Sequence, residues 1–130
     1  MQLNVGIITI SDRASQGKYD DLGGPALKEA VTGYDWKIGA DTLVPDEKRD
    51  IQRAIREMIR QGCNLVLTTG GTGVATRDVT PEAVLEISER ELPGFGEVMR
   101  SESMKITPNA ILSRSLAVAV DKALVICLPG

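Results

Sequence analysis

The chain has 130 residues, 42% of them hydrophobic, and a formal net charge of −3 at pH 7. This length predicts a single domain with one core, and the slightly acidic balance gives no reason to expect nucleic acid or a membrane as a partner. The sequence contains no histidine, which excludes Ser-His-Asp and Cys-His catalysis. Because the net charge is negative, any bound anion must be held by a local cluster of donors.

The cysteines and the N-terminus indicate the compartment. Cys63 and Cys127 are the only thiols, and their spacing fits neither a metal site nor a redox motif. We expect both to be buried and reduced in a cytoplasmic protein. The opening segment "MQLNVGIITIS" lacks the basic start and the long apolar run of a signal peptide, and no apolar run is long enough to span a bilayer.

Strand and helix patterns alternate from the start of the chain. Residues 5–10 are mostly β-branched and predict a buried strand, which a polar loop follows over residues 11–24. Pro25 suits the first turn of a helix that Gly33 can end. Residues 38–44 predict a second, weaker strand.

The alternation continues through the middle of the chain. Asp46 is placed to cap a helix whose apolar residues repeat at helical spacing as far as Gly62. Residues 65–69 predict a third strand that leads directly into a run of glycines. Thr80 is placed to cap the next helix, with Pro81 in its first turn.

The last part of the chain predicts a helix over residues 96–105 and another turn that begins near Pro108. The segments "LAVAV" and "ALVICL" predict two strands joined by a tight connection at Asp121 and Lys122. A buried strand is usually followed by a covering helix, and only Pro-Gly follows here. We therefore expect residues 1–130 to form one domain that lacks its C-terminal segment.

This order of elements predicts an α/β fold of three layers, with a mostly parallel sheet and helices on both of its faces. Ligands in such folds lie beyond the carboxyl ends of the strands. The loops that begin at Ser11, Pro45 and Gly70 should therefore meet at one edge of the sheet.

The stretch "TTGGTGVATRDVTPEA", residues 68–83, carries the clearest chemical signal. Glycines that follow a strand let backbone N–H groups turn toward an anion, although a tight turn that needs positive φ would use the same residues. The stretch is not a Walker A motif, because no Gly-Lys-Ser/Thr follows. It also lacks the third glycine of the dinucleotide-binding fingerprint.

Charged residues beside these glycines indicate phosphate and a metal ion. The guanidinium of Arg77 can bind phosphate oxygens through two N–H groups. Asp78 would repel phosphate unless a cation lay between them, and Mg²⁺ is bound in this way by one or two carboxylates. Asp46, at the neighbouring strand end, is the second candidate ligand. The alternatives are a solvated loop pair of Arg77 with Asp78 and a simple helix cap at Asp46.

For two further arginines, the sequence also leaves open whether they belong to the site or are solvated surface residues. Asp12 and Arg13 repeat the acid–base pairing on the first loop, where a surface salt bridge is the alternative. Arg114, in "ILSRS", is either part of the site or a solvated helix residue.

Taken together, these motifs resemble the MogA/MoaB family of molybdopterin adenylyltransferases, and most closely its bacterial MogA members. The resemblance runs in family order from residue 8 to residue 130. The matching stretches are "ISDRAS", "DLGGPAL", "VPDE", "LVLTTGGTGVATRDVTPEA", "LPGFGEVMR", "TPNAILSRS" and "LPG".

The resemblance implies an enzyme of molybdenum cofactor biosynthesis that uses Mg²⁺ to transfer AMP from ATP to molybdopterin, with release of pyrophosphate. It implies that Asp46 and Asp78 are the catalytic residues and the metal ligands. The nucleotide-binding residues would be Gly70, Gly71, Thr72, Gly73 and Arg77. The pterin- and phosphate-binding residues would be Ser11, Asp12, Arg13, Ser113 and Arg114. The resemblance further implies a homotrimer and a contact with the molybdate-inserting enzyme.

The absence of histidine fits this chemistry. The nucleophile would be the terminal phosphate of the substrate, which has a second pKa of about 6 and needs no general base at neutral pH. The barrier is the repulsion between two anions, which Mg²⁺, arginine and backbone amides reduce. Two alternatives stay open: a non-catalytic pterin-binding module, and a nucleotide-binding regulator. The pair of aspartates favours the enzyme, because a protein that only binds anions gains nothing from carboxylates there.

Overall fold

The structure is a computed structural model that describes residues 2–17 and 23–129. Strands and helices alternate along most of these ranges. In chain order they are β1 (Asn4–Ile10), α1 (Asp12–Ser15), α2 (Gly23–Gly33), β2 (Lys37–Val44), α3 (Lys48–Arg60), β3 (Leu65–Thr69), α4 (Thr80–Ile87), β4 (Arg90–Glu91), α5 (Pro93–Met104), a 3₁₀ turn (Pro108–Leu112), β5 (Leu116–Val120) and β6 (Ala123–Leu128).

The strands form one sheet in the order β2-β1-β3-β6-β5-β4. The neighbouring strands β2, β1, β3 and β6 are parallel, and β5 and β4 continue the sheet with antiparallel pairing. Thr69 at the end of β3 lies opposite Thr9 of β1 on one side and Leu128 of β6 on the other. The prediction of a mostly parallel sheet is therefore confirmed, and the parallel strands end together at one edge.

Helices cover both faces of the sheet, as predicted. On one face, Val31 of α2 packs against Val5 and Ile7 of β1. On the other face, α3 and α4 contribute the buried side chains of Ile55 and Val84, among others. Each fully buried aliphatic side chain contributes roughly 1.5–3 kcal/mol relative to exposure, so the core fixes the positions of the strand ends that carry the loops.

Two predicted helix caps are wrong, and both residues have a tertiary contact instead. The N-cap of α3 is Glu47, which makes no side-chain cap bond, whereas the carboxylate of Asp46 accepts a hydrogen bond from the first loop. The N-cap of α4 is Val79. Thr80 is the first residue of that helix, and its hydroxyl donates to the carbonyl of Gly70 at 3.0 Å.

Other element bounds differ by a few residues. α5 begins at Pro93 rather than at residue 96, because proline is favoured in the first turn of a helix. The loop predicted over residues 11–24 contains the short helix α1 and the start of α2. The rest of that loop, residues 18–22, lies outside the described residues.

The cysteines are unpaired and buried, as predicted. Cys127 lies on β6, where burial raises the pKa of its thiol to about 11, and burial also raises the pKa of the Cys63 thiol. Both thiols are therefore protonated at neutral pH and pack as small apolar groups. Within the described ranges, no helix has the length and apolar character needed to cross a membrane.

Candidate functional site

Reciprocal hydrogen bonds join the first two loops at the carboxyl edge of the sheet. The N–H of Asp12 donates to Oδ2 of Asp46 at 2.9 Å, and the N–H of Asp46 donates to Oδ1 of Asp12 at 2.9 Å. Ser11, one residue earlier, donates its N–H to the carbonyl of Val44 at 2.9 Å. These bonds hold the loops after β1 and β2 side by side, with two carboxylates between them.

Arg77 brings the third loop to the same place. Its Nε and Nη2 atoms donate to the two carboxylate oxygens of Asp12, each at 2.9 Å, and Nη2 also lies 2.9 Å from the carboxylate of Glu47. The hydrogen bonds from Arg77 lower the pKa of Asp12. Arg77 therefore pairs with Asp12 and Glu47, and the alternative pairings Arg77–Asp78 and Arg13–Asp12 are not the ones formed. Arg13 is exposed on α1.

Residues 70–73, which we call the glycine loop, begin in a left-handed backbone conformation. Gly70 has a φ of +102° and Gly71 a φ of +72°, values that side chains disfavour and glycine permits. Thr80 fixes this part of the loop, because its hydroxyl donates to the Gly70 carbonyl at 3.0 Å and its N–H donates to the Gly71 carbonyl at 3.1 Å.

The second half of the glycine loop is held by Arg114. The N–H of Arg114 donates to the carbonyl of Thr72 at 2.8 Å, and its Nε donates to the carbonyl of Gly73 at 2.8 Å. Nη2 donates to the carbonyl of Asp78 at 2.7 Å, and Nη1 pairs with the carboxylate of Glu82. Arg114 follows the 3₁₀ turn and is half-buried, so the alternative of a solvated helix residue is wrong.

All the carbonyl groups of the glycine loop thus accept hydrogen bonds from the protein. By contrast, the N–H groups of Gly71, Thr72 and Gly73 donate to no acceptor within the part of the chain that the structure describes. Successive backbone N–H groups that point into one concave space form an anion-binding site. The positive φ values confirm that this loop makes a turn that needs glycine. Its N–H groups are available for the predicted contact with phosphate, which stays a prediction.

The carboxylates of Asp46 and Asp78 flank the glycine loop. A Cβ atom built on Gly71 would lie 3.1 Å from Oδ1 of Asp46, and one built on Gly73 would lie 2.8 Å from Oδ2 of Asp78. Oδ2 of Asp78 also accepts a hydrogen bond from the N–H of Ala75 at 2.9 Å. The structure therefore brings the two predicted aspartates to the loop that carries the amide donors.

Burial raises the pKa of the Asp46 carboxyl, and the nearby charges of Asp12 and Asp78 raise it further. Such an arrangement is stabilised by a cation. The described residues contain no cluster of three or more His, Cys, Asp or Glu side chains that could hold a metal ion. Two carboxylates are nevertheless sufficient for Mg²⁺, which keeps several waters and takes its other ligands from substrate phosphates.

Ser113, predicted at the pterin and phosphate site, lies beside Arg114. Its hydroxyl forms a hydrogen bond with that of Ser115 at 2.8 Å. A cleft of about 490 Å³ opens where Arg114 meets the loop after β3. Its lining residues are Val74, Ala75, Thr76, Asp78, Val79, Glu82 and Arg114. Asp78 and Arg114 therefore line the same cleft.

Sequence reasoning missed the partners that hold the site together. Glu47 pairs with Arg77, Glu82 pairs with Arg114, and Thr80 fixes the start of the glycine loop. Each lies inside one of two motifs of the sequence, "VPDE" or "RDVTPEA". Their position in those motifs was the available signal, and for the two glutamates the partner arginine lies about 30 residues away in sequence.

We expect the carboxyls of Asp12 and Asp46 to titrate on opposite sides of the ordinary value of 3.8. Because the pKa of Asp12 is lowered in the folded state, its contribution to stability is present above 3.8 and is lost as the pH falls through its lowered pKa. The contribution of Asp46 has the opposite sign, since it is present below 3.8 and is lost as the pH rises through its raised pKa.

Carboxyl-carbon NMR measures both titrations in one experiment. The variant Arg77→Gln should raise the pKa of Asp12 toward its ordinary value, since it removes the hydrogen bonds that lower it. Coincident titration of both carboxyls in the wild-type protein would contradict this arrangement of the two loops.

Comparison with known proteins places this site in a family. Residues 6–130 match the family model described as "Probable molybdopterin binding domain". The chain is 49% identical over 131 residues to the molybdopterin adenylyltransferase of Escherichia coli (strain K12), covering 98% of this chain and 67% of that protein. It is 44% identical over 132 residues to the molybdopterin adenylyltransferase of Helicobacter pylori (strain J99), covering 98% of this chain and 74% of that protein.

Solved structures give the same result. The molybdopterin biosynthesis enzyme MoaB of Thermus thermophilus superimposes with a TM-score of 0.92 at 42% identity, over 99% of this chain and 82% of that one. The tungsten cofactor synthesizing protein MoaB of Pyrococcus furiosus superimposes with a TM-score of 0.92 at 33% identity, again over 99% and 82%. The motifs of the sequence predict the same relationship, and the chain therefore belongs to the family of probable molybdopterin binding domains, together with these MogA/MoaB proteins.

Proposed function

We propose that the protein is a molybdopterin adenylyltransferase, which transfers AMP from ATP to the terminal phosphate of molybdopterin in molybdenum cofactor biosynthesis. The observation that carries the proposal is the glycine loop, whose amides are available to an anion and whose two sides are flanked by the carboxylates of Asp46 and Asp78. The names of the relatives support the same reaction, because those from E. coli and H. pylori are both molybdopterin adenylyltransferases.

In this proposal the glycine loop binds the phosphates of ATP. The amides of Gly71, Thr72 and Gly73 are oriented before the nucleotide arrives, so they cost little reorganisation when negative charge develops. The direct phosphate contact predicted for Arg77 stays a prediction, since its Nε and Nη2 atoms are engaged by carboxylates here. Its hydrogen bonds to Asp12 support a second role, which is to hold the first loop next to Asp46.

Asp46 and Asp78 would hold Mg²⁺ between them and the phosphates of ATP. When bound, the ion neutralises charge on the phosphate oxygens that face the incoming nucleophile. The raised pKa of Asp46 fits this role, because a carboxyl crowded by burial and by like charges becomes a better site for a cation once it is ionised.

The chemical step needs no proton transfer from the protein. A phosphate oxygen of molybdopterin attacks the α-phosphorus of ATP, a new P–O bond forms, and the bond from the α-phosphorus to the bridging oxygen breaks. Pyrophosphate leaves with that electron pair. The nucleophile is already ionised near neutral pH because its second pKa is about 6, which agrees with a chain that contains no histidine.

Self-association and a cytoplasmic location are part of the proposal. The homotrimer expected from the family needs apolar contact surface, and α5 with the following segment exposes Val98, Ile106 and Ile111 by 62%, 89% and 70%. Light scattering on the purified protein would measure the mass of the assembly.

The two unpaired, buried cysteines agree with a reducing compartment. Contact with the molybdate-inserting enzyme stays a prediction.

The reaction itself tests the function. Purified protein incubated with molybdopterin, ATP and Mg²⁺ is expected to form adenylylated molybdopterin and an equal amount of pyrophosphate. Omission of Mg²⁺ should abolish product formation. Tight binding of molybdopterin without product would reject the enzyme and support the pterin-binding module instead.

A further inference from the structure

We infer that Arg114 is a positioning residue, whose guanidinium holds the end of the glycine loop and the segment that follows it and acts on the substrate only through them. What the loop binds rests on the proposed function, but the contacts that shape the loop do not. The inference assigns to Arg114 a role different from the direct contact with pterin or phosphate that its position in the motif suggests.

The contacts of Arg114 are concentrated on the backbone of one segment. Its main-chain N–H donates to the carbonyl of Thr72 at 2.8 Å. In the side chain, Nε donates to the carbonyl of Gly73 at 2.8 Å and Nη2 to the carbonyl of Asp78 at 2.7 Å. Nη1 pairs with Glu82 on α4. Each nitrogen of the guanidinium therefore already has a partner within the protein.

Carbonyl contacts of this kind determine where the amides point. The peptide unit is planar and trans, so the N–H of one residue points opposite to the C=O of the residue before it. When Arg114 draws the Thr72 carbonyl toward itself, the N–H of Gly73 turns away from Arg114. The bond from Nε of Arg114 to the Gly73 carbonyl orients the N–H of Val74 in the same way.

Thr80 performs the equivalent function for the first half of the loop, since it binds the carbonyls of Gly70 and Gly71 and so directs the amides of Gly71 and Thr72. Thr80 is fully buried and lies close to the loop in sequence. Arg114 has to reach the loop from a distant part of the chain, 41 positions away from Gly73. Without the guanidinium, the Gly73 carbonyl would lose its hydrogen bond and could turn toward a bound phosphate, whereas the main-chain bond to the Thr72 carbonyl would remain.

A substitution by lysine separates positioning from simple charge. Lysine keeps the positive charge but replaces the planar fork by one ammonium group, which cannot reach the carbonyls of Gly73 and Asp78 with the same geometry. If Arg114 acted as a charge on the substrate, Arg114→Lys would keep much of the affinity. If it positions the loop, Arg114→Lys should lose nearly as much as Arg114→Ala.

Arg100 provides a matched control. It donates to the carbonyl of Ser115 at 2.7 Å and to that of Ser113 at 3.4 Å, yet it has no contact with the glycine loop among the described residues. Arg100→Lys therefore makes the same chemical change next to Arg114 without changing the support of the loop.

The experiment combines amide hydrogen exchange in the ligand-free protein with steady-state kinetics. For Arg114→Lys and Arg114→Ala we expect exchange to accelerate about tenfold or more at the amides of Ala75 and Asp78, because their hydrogen bonds lie in the turn that the guanidinium holds through the carbonyls of Gly73 and Asp78. The KM for ATP should rise by about the same factor, whereas the KM for molybdopterin should stay near the wild-type value. Arg100→Lys should leave both exchange and KM close to wild type.

Two results would overturn the inference. Wild-type exchange at Ala75 and Asp78 in Arg114→Lys would show that this segment does not depend on the guanidinium. A rise in the KM for molybdopterin with no change for ATP would show a direct pterin contact. If the wild-type protein transferred no AMP, exchange and a titration with tripolyphosphate would still test the inference, because neither uses the reaction. In that case the proposed function would fail, and accelerated exchange with weaker tripolyphosphate binding would still support the positioning role.

Discussion

Replacing Asp78 by asparagine is expected to slow adenylyl transfer by about a hundredfold, the scale on which a single charge-stabilising group contributes at a reacting centre. The carboxylate lies beside Gly73, with Oδ2 2.8 Å from the position that a Cβ on that glycine would occupy. It is therefore next to the amides proposed to hold the phosphates. The loss should appear mainly in kcat, since the charge matters most when the reacting phosphates carry their greatest negative charge.

Asparagine isolates the charge of Asp78 from its structural contact. Oδ2 of Asp78 accepts the N–H of Ala75 at 2.9 Å, and the amide oxygen of asparagine can accept the same bond. The loop should therefore keep its shape, and molybdopterin should bind with its wild-type affinity. If metal binding is the role of this residue, raising the concentration of Mg²⁺ should restore part of the rate.

The control for this experiment is Asp41→Asn. Asp41 is exposed on β2, and its carboxylate lies 3.3 Å from Nζ of Lys28, so the variant makes the same change in net charge away from the loop. Steady-state rates for both variants, measured across a range of Mg²⁺ concentrations, show whether the loss of rate is specific to Asp78 and depends on Mg²⁺. Turnover at the wild-type level in Asp78→Asn would reject the metal-binding role.

The second large effect is expected from a methyl group added to the glycine loop. In Gly71→Ala the new Cβ would lie 2.2 Å from Oγ1 of Thr80 and 3.1 Å from Oδ1 of Asp46, on a residue whose φ is +72°. The clash with Thr80 is not relieved easily, because the Thr80 hydroxyl is buried and donates to the Gly70 carbonyl. The variant should lose about 1–3 kcal/mol of stability through the strained conformation alone.

Affinity for ATP should fall by about tenfold or more in Gly71→Ala, because the loop must shift to make room and the amides proposed to bind phosphate shift with it. Gly71→Val should be worse, since a β-branched side chain tolerates this conformation less well. Calorimetric titration of the folded variants with ATP measures the effect, and circular dichroism confirms that the fold is retained.

Gly94→Ala is the matched control, because a Cβ built there has no neighbour within 4 Å and its φ is not positive. We expect wild-type affinity for ATP in this variant. Wild-type affinity in Gly71→Ala as well would mean that the glycines serve only to turn the chain.

The fold could be predicted from the sequence because its signals are local. Runs of β-branched residues mark β1 and β3, and the helical spacing of apolar residues marks α3. Once strands and helices alternate, the sheet must be mostly parallel, and the loops after β1, β2 and β3 must meet at one edge. The grouping of Asp12, Asp46 and the glycine loop follows from this geometry.

The pairing of side chains within the site could not be predicted, because it depends on contacts between distant parts of the chain. Arg77 has an aspartate as its next neighbour but pairs with Asp12, which is 65 residues away. Asp46 looks like a helix cap because aspartate is common at that position, yet it accepts the N–H of Asp12 instead. Only the register of the sheet, which brings these residues together, decides between such alternatives.

The start of the glycine loop is held by the end of β6, which lies almost 60 residues later in the chain. The N–H of Gly70 donates to the carbonyl of Leu128 at 3.3 Å, and the hydroxyl of Thr69 donates to the carbonyl of Pro129 at 3.1 Å, across a separation of 60 residues. Contacts between distant segments form slowly in folding, because the chain loses the entropy of closing a long loop before these contacts can stabilise it. While the chain is being synthesised, β1, β2 and β3 can meet early, but β3 has no neighbour on its other side until β6 is available. Nucleotide binding should therefore be acquired late in folding, once β6 has joined the sheet beside β3.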